Sequence, residues 1–141
     1  MATCTFFGHA DTSEEILPLL QREIVKLIEN HGVSCFYVGN HGNFDRLVIR
    51  TLKVLQQEHP SLEYSIVLAY LPTTSDTFES ENTLYPAGIE SVPKRFAIVW
   101  RNRWMLNKSQ FVITHVVSPS SRAAKFNALA EKQKKTVINL A

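Results

Sequence analysis

The sequence contains few of the residues that mark specialised classes of protein. Its 141 residues include only 5 glycines, 6 prolines and 2 cysteines, without a repeat or low-complexity segment, which excludes collagen, long disorder and coiled coil. Cys4 and Cys35 lie in apolar, strand-like stretches, and no Cys/His cluster has zinc spacing. We therefore expect reduced core cysteines, with neither a disulfide nor a metal site.

A strong charge of one sign and long apolar runs are also missing. The net charge is +2 and the isoelectric point is near 8.6, too mild to indicate a DNA-binding protein. The N-terminus lacks the features of a signal peptide, and apolar runs such as residues 111–113 are far too short to cross a bilayer. We expect a cytoplasmic protein that does not bind membranes, folded as one domain over residues 1–141.

Strand-like and helix-like periodicities alternate along the chain. Strands are predicted near residues 3–7, 33–38, 62–71, 111–117 and 136–140, with a short edge strand near 83–86 and an exposed polar loop over 73–82. Helices are predicted near residues 13–31, 44–58, 94–108 and 122–135. This order predicts a three-layer α/β domain, with a mostly parallel sheet of about five strands and helices on both faces.

Three strand-to-helix turns carry candidate ligand-binding residues, because ligands of parallel sheets sit beyond the carboxyl ends of the strands and helix starts offer free N–H groups to anions. The candidates are Gly8 and His9 in the first turn, Gly39, Asn40, His41 and Gly42 in the second, with Asp45 following it, and Ser118, Ser120, Ser121 and Arg122 in the third.

Each of these turns has alternative interpretations. The glycines either let the backbone approach a ligand or serve the turn alone, and Asp45 either caps a helix or accepts a ribose hydroxyl. The histidines either bind phosphate, stack on a base or act in acid/base chemistry, or are simply polar surface residues. The serine-rich turn either holds a phosphate or is an ordinary helix cap.

The stretch Arg101-Asn102-Arg103-Trp104-Met105 is the densest functional signal in the sequence. Simple packing of this helix would bury the aromatic side chains and leave the arginines in water. That interpretation explains Asn102 less well, since asparagine is a mediocre helix former in mid-helix. Arg101 or Asn102 pointing into the crevice would supply donors for a nucleotide.

Three segments together resemble a known family. Phe6-Phe7-Gly8-His9, the turn from Gly39 to Asp45, and Arg101 to Met105 with Ser109 beyond are similar to the YpsA-like branch of the SLOG superfamily, which joins the SMF/DprA and LOG proteins. The resemblance implies a Rossmann-like fold that binds nucleotides or nucleotide derivatives, in some members as sensors beside NAD-handling immune enzymes. It supports as pocket residues Gly8, His9, Gly39, Gly42, Asp45, Arg101 and Asn102.

The sequence departs from that family at three places. Ala10 stands where relatives often have arginine, Asn40-His41 follow Gly39 in place of Gly-Ala, and Ser118-Pro119-Ser120-Ser121 replace an expected Gly-Gly-Thr. The Pro-Gly-Gly-x-Gly-Thr-x-x-Glu motif of LOG-type phosphoribohydrolases does not occur in this sequence.

These features favour a non-catalytic, sensor-type domain that binds a nucleotide or nucleotide derivative. One alternative is a nucleotide glycosidic-bond hydrolase or transferase, which needs a carboxylate near the anomeric carbon; the candidates are Asp11, Asp45, Glu79, Glu81 and Glu90. A second alternative is a DNA-binding module by analogy with DprA, which the mild charge does not favour. A homodimer through the helix around Trp100 and Trp104 is a further expectation.

Overall fold

An all-parallel β-sheet forms the centre of the protein. The computed structural model describes residues 2–71 and 82–141, and within them the sheet has six strands. The strands are β1 Ala2–Gly8, β2 Val33–Val38, β3 Glu63–Val67, β4 Thr83–Leu84, β5 Phe111–His115 and β6 Thr136–Asn139. The helices are α1 Leu17–His31, α2 Asn43–Glu58, α3 Ala97–Asn107 and α4 Arg122–Lys132. The loop expected over residues 73–82, with Glu79 and Glu81, lies almost entirely outside the described residues.

The strand order reverses once, beside β1. The spatial order is β4-β3-β2-β1-β5-β6, so the chain winds outward from β1 to β4 and then returns to the other side of β1. Because parallel crossovers are right-handed, this reversal places α1 and α2 on one face and α3 and α4 on the opposite face. The carboxyl ends of β1 and β5 therefore form the point at which ligands of open parallel sheets are held.

Strand β1 belongs to both hydrophobic layers, because successive side chains of a strand point to opposite faces. Phe6 packs in the cluster beneath α1 and α2, whereas Phe7 packs with residues of α3 and α4 and stacks on Phe126 at 5.0 Å between ring centroids. Among the cysteines, both of which are free thiols, Cys4 is buried in β1 and Cys35 is half-buried in β2. The predicted three-layer Rossmann-like α/β fold is confirmed.

Several elements are shorter than the periodicity predicts, whereas the six strands of the described residues agree with the expected number of about five. The strand predicted to run to Leu71 ends at Val67, because β2 ends at Val38, which pairs with Ile66. The strand predicted to run to Val117 ends at His115, since its neighbour β1 ends at Gly8. The short edge strand expected near residues 83–86 is the two-residue β4, which pairs parallel with β3.

Helix α1 follows the predicted start and stop signals. The Ser13 side chain accepts a hydrogen bond from the Glu15 N–H at the start of a short 3-10 turn, and Pro18 lies in the first turn of the helix. Gly32 ends the helix with a φ of 63°, a left-handed conformation that glycine adopts without strain. Across residues 2–71 and 82–141, no helix has the length and apolarity needed to cross a membrane.

Candidate ligand-binding site

A cavity of about 270 Å³ opens at the carboxyl ends of β1 and β5, where the strand order reverses. The predicted site residues that line it are Gly8, His9, His41, Gly42, Asp45, Arg101, Asn102, Ser121 and Arg122. The remaining predicted residues, Gly39, Asn40, Ser118 and Ser120, do not line it. Part of its wall is apolar and comes from residues that the sequence analysis did not select, namely Phe6, Phe7, Ala10, Ile98, Met105 and Ala123.

The buried guanidinium group of Arg101 is the central feature of this cavity. Arg101 is only 2% exposed although it lies on a helix, and its Nε donates to Asn102 Oδ1 at 2.9 Å. Its Nη1 lies 3.2 Å from both Asn40 Oδ1 and the Val67 carbonyl oxygen, and 3.3 Å from His41 Nδ1. Among residues 2–71 and 82–141, no group bonds Nη2. The guanidinium is thus held in place by one edge while one of its nitrogens remains available.

Asp45 is the acidic group of the same cavity. It is buried in the first turn of α2, and its Oδ2 accepts a hydrogen bond from the His41 N–H at 3.0 Å. Burial raises the pKa of Asp45 to about 6, while the Arg101 charge and the His41 hydrogen bond act in the opposite direction. Asp45 is therefore mostly ionised at pH 7 and takes up its proton in mildly acidic solution.

Gly39 keeps the space between these two groups free. A Cβ at this position would lie 2.8 Å from Arg101 Cζ and 2.9 Å from Asp45 Oδ2. Both distances are shorter than packed carbon and oxygen atoms tolerate. The glycine is thus required by the buried Arg101–Asp45 arrangement, a role that neither alternative considered from the sequence includes.

His41 connects the second turn with the end of β3. Its ring lies edge-on to Tyr70, with 5.8 Å between ring centroids, and its Nδ1 faces Arg101. Burial lowers the pKa of His41, and the charges of Arg101 and Arg122 lower it further. His41 is therefore a neutral side chain at neutral pH, with the second arginine close enough to influence it.

The start of α2 is closed by the first turn rather than open to an anion. The Asn43 N–H donates to the Ala10 carbonyl at 2.9 Å, and the Phe44 N–H donates to the His9 carbonyl at 3.3 Å. Gly42 has a φ of 90°, and a Cβ there would lie 2.7 Å from Ala10 Cα. Two of the N–H groups expected to be free at this turn, those of Asn43 and Phe44, are therefore already bonded, and Gly42 serves the contact between the two turns.

The start of α4 differs, because its N–H groups are less fully bonded. Ser121 caps the helix: its Oγ accepts from the Ala124 N–H at 3.0 Å, and its hydroxyl donates to the Ser118 carbonyl at 2.9 Å. Within the described part of the chain, the N–H groups of Arg122 and Ala123 have no partner, and both residues line the cavity. Ser118 and Ser120 face each other instead, with 3.5 Å between their Oγ atoms.

Ser121→Ala should lower the free energy of unfolding of the ligand-free protein by about 1 kcal/mol, because it removes a helix cap. Ser120→Ala is the matched control on the same turn and should stay within about 0.5 kcal/mol of wild type. Urea unfolding measures both. Equal stabilities for the two variants would contradict the capping role of Ser121.

His9 packs beside a histidine that the sequence analysis missed. His9 Nε2 accepts from the Val117 N–H at 2.9 Å, and its ring lies edge-on to His115 at 6.1 Å between centroids. Burial lowers the pKa of His115, and His9 lowers it further. The parallel register of β1 and β5, which pairs Gly8 with His115, brings the two rings together; no local sequence signal indicates that register.

The cavity thus combines two arginines, one carboxyl group that titrates near neutrality and a free helix start. No group of three or more His, Cys, Asp or Glu side chains in the described ranges is placed to hold a metal ion. Arrangements of this kind, concave and partly apolar with a few convergent donors, are typical of small-molecule sites. The fold and the cavity together define a Rossmann-like α/β protein with an electropositive crevice at its switch point.

Comparison with known proteins supports the fold. No family model matches the chain, and no curated protein matches it. A solved structure that is similar is the molybdenum cofactor carrier protein of Chlamydomonas reinhardtii, with a TM-score of 0.60 and 20% sequence identity over 97% of this chain and 75% of that one. The similarity is one of Rossmann-like folds with parallel sheets, and membership of the YpsA-like branch stays a prediction.

Proposed function

We propose that this protein binds a small phosphate-bearing ligand of nucleotide type in the cavity at the carboxyl ends of β1 and β5. The observation that carries the proposal is the buried guanidinium of Arg101, which lines the same cavity as the unbonded N–H groups at the start of α4. A guanidinium and a helix start are the two commonest anion-binding groups of proteins. Buried charge is costly, so a charge retained at a cavity favours a ligand of opposite sign.

The rest of the cavity suits the sugar of such a ligand. Asp45 lies on the wall, and its Oδ1 bonds no group within the described part of the chain, so it is free to accept a ribose hydroxyl. Ile98 and Met105 supply apolar surface for the sugar or base. The volume of about 270 Å³ lies just below the usual range for drug-sized ligands, so the cavity would enclose a phosphate and its sugar with the remainder at the mouth.

Binding without conversion is the function we favour. The structural neighbour is described as a carrier of a molybdenum cofactor, which is also a function of holding a small molecule. The titrating Asp45 supports hydrolysis of a nucleotide glycosidic bond as a second candidate, because an acid/base catalyst works best with a pKa near the working pH. Free base released from AMP by the wild type and not by Asp45→Asn would establish that second candidate.

A ligand screen by thermal unfolding tests the proposal. AMP, ADP, NAD, ADP-ribose and cyclic nucleotides are compared with adenosine, which lacks the phosphate. A ligand present at 100 times its Kd should raise the free energy of unfolding by about 2.7 kcal/mol, which corresponds to a rise in Tm of roughly 10 °C. Adenosine should produce a much smaller shift than AMP. Equal shifts from both, or no shift from any phosphate-bearing ligand at millimolar concentration, would overturn the proposal.

A further inference from the structure

A second concave surface, the α3–α4 groove, lies beside the cavity and shares one lining residue, Arg122, with the site described above. It encloses about 640 Å³ and is lined by Val99, Arg103, Arg122, Lys125, Phe126 and Leu129. The groove is therefore larger than the cavity itself. Its position on the sheet face that carries α3 and α4 follows from the return of the chain across β1.

The groove combines uncompensated positive charge with an apolar floor. Its three basic side chains, Arg103, Arg122 and Lys125, are exposed and form no ion pair within the described ranges, and none of its lining residues is acidic. Phe126 is buried beneath them, and Val99 remains 37% exposed. A surface of this kind is complementary to a flat ring that carries a neighbouring anion, since ring and floor pack while the cations face the phosphate.

Arg122 joins the groove to the cavity, because it lines both. We infer that the α3–α4 groove is the second half of one extended site, which takes a pyrophosphate-linked ligand whose first phosphate and sugar occupy the cavity. The second phosphate then lies at Arg122, and the second ring lies over the Phe126–Leu129 floor between Arg103 and Lys125. This inference rests on the proposed function, and it specifies the class of ligand that function involves.

Diadenosine pyrophosphate is a suitable probe, because either of its halves is an AMP and any gain over AMP comes from the other half. The wild type should bind it at least about tenfold more tightly than AMP, since a charge-assisted contact between the second phosphate and Arg122 alone contributes that much. ADP has a second phosphate and no second ring, so its affinity should lie between those of AMP and diadenosine pyrophosphate. Isothermal titration calorimetry measures the three affinities at one fixed salt concentration.

A double variant and a control variant test whether the higher affinity for diadenosine pyrophosphate comes from the groove. The double variant Arg103→Gln/Lys125→Gln should bind diadenosine pyrophosphate about tenfold more weakly than wild type. Its affinity for AMP should be nearly unchanged. Lys132→Gln, an exposed cation at the end of α4 and outside the groove, is the control and should change neither affinity. Circular dichroism checks that all variants are folded.

The outcomes separate this inference from the proposed function. If AMP binds but diadenosine pyrophosphate binds no more tightly, or if the double variant weakens both ligands equally, the extended site is wrong and the cavity proposal stands. If neither ligand binds, the proposed function itself fails. Binding of an acidic peptide to the groove with no effect of AMP on it would show that the groove serves a separate partner, which also overturns the inference.

Discussion

Arg101→Met is expected to weaken AMP binding at least about 100-fold, because in the proposed complex it removes the buried charge-assisted hydrogen bond to the phosphate. Methionine keeps the apolar stem of the side chain as far as the position of Nε and loses the guanidinium carbon with its two terminal nitrogens. Arg122, the other arginine of the cavity, is exposed, so its charge is more hydrated and contributes less. Titration calorimetry on wild type and variant gives the ratio of affinities.

The matched control for this experiment lies two residues further along α3. Arg103→Met removes the same charge from an exposed position outside the cavity, so AMP binding should stay within about twofold of wild type at moderate salt. Arg101→Lys keeps the charge but loses the planar fork that Asn40, Asn102 and Val67 hold, and we expect an intermediate loss of about tenfold. A folded Arg101→Met protein that binds AMP as well as the Arg103→Met variant would exclude Arg101 as an anion ligand.

The fold was largely predictable because it depends on local patterns. Each of its sequence signals lies within a few residues of the element that it specifies: the alternating strand and helix periodicities, the Ser13 cap and the Gly32 stop. The lengths of β3 and β5 could not be predicted in this way, because each of these strands ends where its neighbour ends. Which strands are neighbours is set by the whole topology. A period of two along a single segment carries no information about its partner.

The candidate site was predictable in part, for a similar reason. Asn102 in mid-helix is a local anomaly, and it marked the turn of α3 where Arg101 is buried. The partners of Arg101 come from β3 and from the turn after β2, which lie 34 to 61 residues away in the chain. The closure of α2 by the first-turn carbonyls is likewise a long-range contact, so the sequence left open whether the glycines of the two turns face a ligand. A Cβ at Gly8, Gly39 or Gly42 would meet protein atoms first.

The pH dependence of stability depends on Asp45, whose pKa is raised by burial from its ordinary value of 3.8 to about 6. The folded state therefore binds the Asp45 proton more tightly than the unfolded state does. Below pH 3.8 the carboxyl is protonated in both states, so its burial does not lower the free energy of unfolding. As the pH rises from about 4 to about 6, the unfolded state loses its proton first, so stability falls over this window and levels off above it. The full loss is about 3 kcal/mol at 1.36 kcal/mol per pKa unit.

Asp45→Asn should remove this loss, because the amide resembles the protonated carboxyl and its Oδ1 can accept the His41 N–H in place of the carboxylate oxygen. The variant should therefore be more stable than wild type by about 3 kcal/mol at pH 8 and by only about 0.5 kcal/mol at pH 4. The difference between the two proteins isolates Asp45 from other titrating groups, such as His41 and His115, that are present in both. Urea unfolding at half-unit steps from pH 4 to pH 8 measures it, with the exposed Asp11→Asn as the control that should follow wild type throughout. A difference between Asp45→Asn and wild type that does not change with pH would show that the Arg101 charge and burial cancel at Asp45. A difference that grows toward acid would show that Arg101 stabilises the carboxylate more than burial penalises it.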